Sequence, residues 1–476
     1  MRSRRGRKRR GIFRRAPRGE GDSAVDTVEC PGTVLPGILG RMNQHHSALR
    51  VRQVAAAVIG NALEWYDFVV FGALSVIIAR LFFPDVSEFN ALLLTTATFG
   101  VGFFMRPIGG VMLGIYADRH GRKAALQLIM GMMTLAIAMI AFAPPYAAIG
   151  IAAPLLIVLA RLLQGFATGG EFAIATSFLV EIAPAGRKGF YGSLQQVGLS
   201  LAALGGALAG WFVTQVLTPA QLDSWGWRLP FVFGLLIGPV GMWVRRNLEE
   251  TEEFLAARAA PGANLPFMTM LRTHVRAVLV TFGLVICGTI TYYVVLIYMP
   301  TFARTQLGMP LEDAFKAQVV ALLCLTVVIP LVGAWSDRIG RKPPMIIGTI
   351  ACLVALLPLF RLLHAEPGLG NLMLVQAVLC SLIGIYYGPL STAVAEQFPP
   401  GVRSTGLSLA YNLAVMLFGG FAQFFCTWLI GVTGQPIAAA YYVMFGAAVG
   451  LLATLALGPG QGVADDGLVP EGPQTA

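Results

Sequence analysis

Residues 154–180 run apolar for long enough to cross a bilayer as a helix, yet they carry Arg161 and Glu171. On insertion scales a charge at mid-bilayer costs roughly 2.5–3.5 kcal/mol, so a fold that accepts this stretch must enclose both side chains in protein or in a wet cavity. Arg161, Gln164, Thr168 and Glu171 step by three, four and three and therefore share one helical face. Gly165, Gly169 and Gly170 let a neighbouring helix approach that stretch closely. Two opposite charges on one polar seam suit a transport pathway better than a purely structural ion pair.

Apolar runs recur along the chain, beginning near residues 54, 91, 124, 154, 189, 228, 277, 315, 344, 372, 404 and 437. They give twelve candidate spans, of which the sixth is the shortest. Only 12% of the 476 residues are charged, against about 25% in a soluble domain, so the expected class is an all-α integral membrane protein. So little polar loop leaves no room for a soluble catalytic domain. No nucleophile–base set, phosphate loop or metal-type cluster stands out, so enzyme activity, a metal and a bound cofactor are not expected. Cys287, Cys324, Cys352, Cys380 and Cys426 fall in spans and read as small buried apolar residues, while Cys30 lies in the tail.

The net charge of +10 is concentrated at the start, where residues 1–41 hold eleven Arg/Lys and four Asp/Glu. This stretch lacks aromatic interleaving and an apolar h-region, so neither nucleic-acid binding nor a secretory signal is expected of it. It reads as a disordered basic tail over residues 1–50, with Met42 a plausible true beginning. With both termini placed in the cytoplasm, the inside loops with Arg50 and Arg52 hold sixteen Arg/Lys. The outside loops and nearby span ends hold five, namely Arg80, Arg228, Arg304, Lys316 and Arg361, a bias that supports this orientation.

Gly114-Ile-Tyr-Ala-Asp118-Arg119-His-Gly121-Arg122-Lys123 is matched by Gly333-Ala-Trp-Ser-Asp337-Arg338-Ile-Gly340-Arg341-Lys342 at a constant offset of 219 residues. A second echo pairs Glu181-Ile-Ala-Pro184-Ala-Gly-Arg187 with Glu396-Gln-Phe-Pro399-Pro-Gly-Val-Arg403. The natural organisation is two six-helix halves, residues 51–244 and 277–458, joined by a cytoplasmic linker over 245–276 and followed by a disordered tail over 459–476. At inner helix ends, Asp118 and Asp337 can bridge to a neighbouring helix end and its orphan backbone groups, beside Arg119, Arg122, Arg338 and Arg341.

The paired loops resemble the signature between the second and third helices of the major facilitator superfamily, repeated between the eighth and ninth. Within it, Gly60-Asn61-Ala-Leu-Glu64-Trp65-Tyr66-Asp67-Phe68, Phe104-Met-Arg106-Pro107-Ile-Gly109-Gly110, Arg161-Leu-Leu-Gln164-Gly165 and Trp225-Gly226-Trp227-Arg228-Leu-Pro230 resemble the metabolite:proton symporter family. That resemblance implies twelve transmembrane helices and import of a small organic anion with protons as the coupling ion. In the second half, Tyr298-Met-Pro300-Thr-Phe-Ala-Arg304-Thr305 and Phe418-Gly419-Gly420 look most like the branch that carries citrate and tricarballylate, with 2-oxoglutarate carriers close. Shikimate and the zwitterionic osmolytes proline and betaine stay open as substrates. Drug export is disfavoured because the fifth span lacks the G-x-x-x-G-P-x-x-G-G pattern. A bacterial-type cytoplasmic membrane and a functional monomer are the implied setting.

At a rise of about 1.5 Å per residue, Glu64, Arg106 and Glu171 all fall near mid-membrane. Asp67, one turn outward of Glu64, moves toward Arg161. The depths allow two clusters, Glu64 and Glu171 around Arg106, and Asp67 with Arg161. By the resemblance, Asp67 with Arg161 is the proton-coupling pair, Glu171 and Glu64 are second carriers, and Arg106 lies nearer the substrate; the superfamily reading makes Asp118 and Asp337, with their arginines, a conformational gate. No Asp, Glu, Lys or Arg lies deep in a second-half span. The neutral substrate candidates are Asn61, Gln164 and Gln196 in the first half and Tyr292, Tyr293, Tyr387 and Asn412 in the second. Histidine is not expected to carry the proton, since His45, His46, His120, His274 and His364 lie in tails, loops or span ends.

Overall fold

Apolar periodicity organises the chain into helices that follow one another through short connections. The computed structural model describes residues 54–55, 58–84, 86–120, 122–169, 171–236, 238–241, 271–399 and 402–458, and residues 50–476 form one unit. Among the described residues every regular element is a helix. Nine helices among the described residues are long and apolar enough to cross a membrane, or ten if a bent pair is counted as one span. In chain order these elements are α1 (Val58–Ala73 with Ser75–Phe82), α2 (Glu88–His120), α3 (Arg122–Ala141), α4 (Ala152–Glu181), α5 (Lys188–Val216) and α6 (Gly226–Gly241). They continue as α7 (Val275–Gln306), α8 (Leu311–Ile339), α9 (Lys342–Ala365), α10 (Leu369–Ala395), α11 (Thr405–Thr433) and α12 (Ala438–Leu455). The apolar parts of α3 and α6 are the two short members. The proposed tails and most of the linker lie outside the described residues.

Four of the long helices depart from regularity. α1 turns by 63° at Leu74. α4 consists of two segments, Ala152–Ala167 and Glu171–Glu181, with Thr168 and Gly169 in a turn between them. α7 widens into a π turn at Tyr292–Tyr298, and α11 does so at Val415–Gly419. Such wide turns reset which side chains face the centre and are frequent at functional sites. Here they bring Thr289 and Tyr293 of α7 against Gly419 of α11.

The closest approach lies between α2 and α4. A Cβ added to Gly165 would lie 1.6 Å from the Gly102 carbonyl oxygen, and one added to Gly109 would lie 1.9 Å from that of Phe166. The two backbones therefore touch, which brings Arg106 of α2 alongside the arginine and glutamate of α4. Replacing Gly165 by Ala should destabilise the detergent-solubilised protein by about 1–3 kcal/mol, because the clash is with backbone and cannot be relieved by a rotamer change. Gly131→Ala, where an added Cβ meets nothing within 4 Å, is the matched control and should leave the melting temperature within about a degree.

Candidate functional site

Asp67 and Arg161 are wholly buried, one on α1 and one on α4. Arg161 Nη1 lies 3.5 Å from Asp67 Oδ2 and donates to Gln164 Oε1 at 2.7 Å. Gln164 Nε2 in turn donates to Asp67 Oδ2. Gln164, expected among the substrate contacts, thus bridges the ion pair, one helical turn along α4 from the arginine it binds. The other face of the guanidinium rests on Phe71, whose ring centroid is 3.8 Å from Arg161 Cζ. Asp67 Oδ1 and the Nε and Nη2 of Arg161 have no hydrogen-bond partner among the described residues.

Arg106 occupies a second cluster. Its guanidinium is enclosed by the rings of Trp65, Phe68 and Phe103, at 4.6, 5.0 and 4.3 Å from Cζ, and its Nε and Nη2 also have no hydrogen-bond partner among the described residues. Glu64, Trp65, Phe68, Arg106, Thr168, Glu171 and Phe172 line one cavity with room for about one water molecule. The structure therefore brings Glu64, Arg106 and Glu171 to one place and sets Asp67 with Arg161 beside it. Tyr411 of α11 interacts with Arg106 through its hydroxyl, and its ring stacks on Phe172 at 3.7 Å between centroids and 4° between planes. Tyr411 carries no signal of its own in the sequence, where the adjacent Asn412 is the polar residue that points to this turn of α11.

Four of the remaining polar candidates, Asn61, Tyr292, Tyr387 and Asn412, are engaged with backbone or with a neighbouring side chain. Asn61 donates to the Gln195 carbonyl at 3.3 Å and accepts from the Gln195 amide at 3.1 Å, while Gln196 is buried on the next position of α5. Tyr292 donates to the Leu199 carbonyl at 3.2 Å, Tyr387 to that of Gly288 at 2.5 Å, and Asn412 to that of Gly169 at 2.5 Å. The hydroxyl of Tyr293 is buried without a hydrogen-bond partner among the described residues, as are both amide atoms of Gln423. Tyr293 packs edge-on against Phe99 and Phe103, close to the Arg106 cluster.

At one end of the bundle, α8 is tied to α5. Asp337 Oδ1 accepts from the Gly189 N–H at 2.6 Å and Oδ2 from the Phe190 N–H at 2.9 Å, so a carboxylate from the eighth helix caps the start of the fifth. Those N–H groups have no intrahelical partner, and the helix dipole favours a negative charge there. Arg341 holds the carboxylate at 2.8 Å and reaches Glu396 at 3.3 Å, while Arg403 lies 3.5 Å from Glu181. The glycines of the motif have separate reasons. A Cβ on Gly333 would lie 2.6 Å from Ser193 Cβ, and Gly340 ends α8 with φ of 88°, a conformation that favours glycine. Arg338 is exposed. Asp118, Arg119 and Arg122 sit where α2 meets α3, and their side chains lie outside the described residues. At the opposite end, Ser75 of α1 and Thr301 of α7 share a hydrogen bond of 3.0 Å.

The profile described as Major Facilitator Superfamily matches residues 57–422. A citrate-proton symporter from Klebsiella pneumoniae is 38% identical over 414 residues, covering 87% of this chain and 93% of the relative. An alpha-ketoglutarate permease from Escherichia coli is 36% identical over 414 residues, covering 86% of this chain and 94% of its own length. Among solved structures, the D-xylose-proton symporter superposes with a TM-score of 0.68 at 19% identity, over 86% of this chain and 97% of that one.

The cap on α5 yields a prediction. Asp337→Asn removes a charged cap and one partner of Arg341, a loss of about 1–2 kcal/mol. The end held by Asp337 should then open about tenfold more often. Alkylation of a cysteine placed at buried Ser391, in a background lacking the native membrane cysteines, should speed up by that factor.

Proposed function

Because the chain belongs to the major facilitator superfamily, we propose that it is a proton-coupled symporter that imports a small organic carboxylate, such as citrate, tricarballylate or 2-oxoglutarate, by alternating access. The observation that carries this reading is Arg106, fully buried and lining a cavity with two carboxylates, with its Nε–Nη2 edge unpaired among the described residues. That edge is the pair of parallel donors that takes a carboxylate in a bidentate fashion. The names of the two relatives, a citrate-proton symporter and an alpha-ketoglutarate permease, support the same substrate class.

Charge counting supports the coupling. The core holds two basic side chains, Arg106 and Arg161, and three acidic ones, Glu64, Asp67 and Glu171. Fully ionised it is net negative, so a polyanionic substrate entering a desolvated cavity needs protons to accompany it. In this reading Asp67 takes a proton, loosens its hold on Arg161, and Glu64 and Glu171 neutralise the cavity around the bound carboxylate. Protons and substrate then stabilise the same conformation, which is coupling by differential affinity of two states. Tyr293, Tyr411 and Asn412 supply contacts from the second half. Tyr292, Tyr387, Asn61, Gln164 and Gln196 become available when the bundle rearranges.

The two six-helix halves, residues 51–244 and 277–458, rock about this core. In this cycle the conformation linked at both ends, Asp337 to the start of α5 and Ser75 to Thr301, is the occluded one. Asp337 and Arg341, with Asp118, Arg119, Arg122 and Arg338 as the wider motif, form the gate on the cytoplasmic side. The protein resides as a monomer in a bacterial cytoplasmic membrane with both termini inside, using no cofactor other than the proton. A second reading, uptake of a zwitterionic osmolyte such as betaine, is favoured by Trp65, Phe68 and Phe172 beside Glu64 and Glu171, since aromatic rings and carboxylates also hold a quaternary ammonium.

Counterflow in proteoliposomes with citrate, tricarballylate, 2-oxoglutarate, shikimate and betaine separates these readings, and a carboxylate is expected to exchange. An inside-alkaline pH gradient should then accumulate it. Asp67→Asn should abolish that accumulation while exchange persists, and Arg106→Lys should weaken carboxylate affinity by about tenfold or more through loss of bidentate geometry. Exchange of betaine alone would overturn the carboxylate assignment, and pH-driven accumulation by Asp67→Asn would overturn the proton assignment.

A further inference from the structure

The two ionic clusters share a neighbour. Phe68 follows Asp67 directly and lies one turn from Glu64, so a single turn of α1 sets a carboxylate, a ring and a second carboxylate side by side. The ring is about 1% exposed. Its centroid is 5.0 Å from Arg106 Cζ and 5.4 Å from Arg161 Cζ. Phe68 lines the cavity together with Glu64, Arg106 and Glu171, whereas neither Asp67 nor Arg161 does. Trp65 and Phe103, with ring centroids 6.0 and 5.6 Å from that of Phe68, extend the wall.

We infer that Phe68 is a positioning residue, the partition that separates the Asp67–Arg161 pair from the Arg106 cavity and so prevents protons from crossing without substrate; this rests on the proton-coupled reading above. A hydrocarbon ring offers no group to relay a proton and excludes the water that could. It is held in place by the two guanidiniums, each attracted to its π system. A carboxylate that engages Arg106 competes for one of those attractions, and the ring is then free to shift toward Arg161. The proton path between Glu64 or Glu171 and Asp67 opens only in the loaded cavity. Substrate binding and proton transfer are thereby made to happen together, with Phe68 acting through the two arginines rather than on the substrate.

The leak measurement needs no substrate. Proteoliposomes loaded with a pH-sensitive dye and held at an inside-negative potassium diffusion potential report proton entry. Phe68→Ala leaves space that water can fill, and should raise substrate-free proton entry about tenfold over wild type. Phe68→Leu, which fills most of the space, should stay near wild type. With citrate, the accumulation that Phe68→Ala reaches in a pH gradient should fall further than its counterflow rate does, toward equal concentrations inside and out. Phe68→Val gives the same readout should the alanine variant fail to fold. A truncated variant that folds, stays proton-tight and accumulates like wild type overturns the partition, as does equal leakage by Phe68→Leu and the truncated variant. Absence of carboxylate exchange in the wild type would count against the substrate reading alone, since the leak measurement still decides the role of Phe68.

Discussion

Two guanidiniums enclosed in a membrane protein, each with donors left over among the described residues, set the terms for everything around them. Desolvating an ion costs several kcal/mol even after relaxation, and one partner rarely offsets it. Arg161 has Asp67, Gln164 and the face of Phe71, while Arg106 has three aromatic rings and the Tyr411 hydroxyl. Both are held where they are by glycine. A Cβ on Gly169 would lie 2.1 Å from the Arg106 carbonyl oxygen, so the α2 backbone at Arg106 rests directly on the turn that interrupts α4. Glu171 begins the next segment of α4. Any change in that turn is therefore felt at Arg106 and Glu171 together, which places a mechanical joint at the electrostatic centre.

Much of this was legible in the sequence because it depends on period and cost alone. The three-four-three spacing from Arg161 to Glu171 requires one polar face, and the expense of charge in lipid requires that face to point inward. Among the described residues a helix lies at each expected place for the same reason, and nine of them, or ten with the bent pair, are long and apolar enough to cross a membrane. The offset of 219 residues between the two loop motifs likewise marks matching helix ends. Helix azimuth against a neighbour is another matter. Asp337 pairs with Arg341 four residues on while adjacent Arg338 is exposed, a distinction that the i,i+4 rule could have supplied. That Gln164 bridges Asp67 to Arg161, or that Tyr292 and Tyr387 donate to carbonyls, depends on which helices touch and at what height, and residue type carries no trace of it. Aromatic residues were least visible of all. In a stretch that is apolar throughout, Phe68 and Phe172 look the same whether they face lipid, fill a core or border a cavity.

The two ends of the bundle are closed by different chemistry, and this makes them respond differently to the charge at the centre. At the end held by Asp337, closure relies on a carboxylate over a helix start and on ion pairs from Arg341 and Arg403. Opening that end exchanges charged contacts for hydration, so its net cost is modest even though its bonds are strong individually. At the other end, a hydroxyl pair between Ser75 and Thr301 accompanies apolar packing, including the contact that a Cβ on Gly72 would make with Ile297 at 2.6 Å. Opening there exposes hydrocarbon, and water offers little in return. The centre must therefore supply more free energy to open one side than the other. In the proposed cycle, a core that is net negative when ionised accepts an anionic carboxylate only as it is protonated, and that change in self-energy is available to do so. The bias between the two faces in that proposed cycle thus resides in the count of protons on Glu64, Asp67 and Glu171 rather than in the contacts at either end.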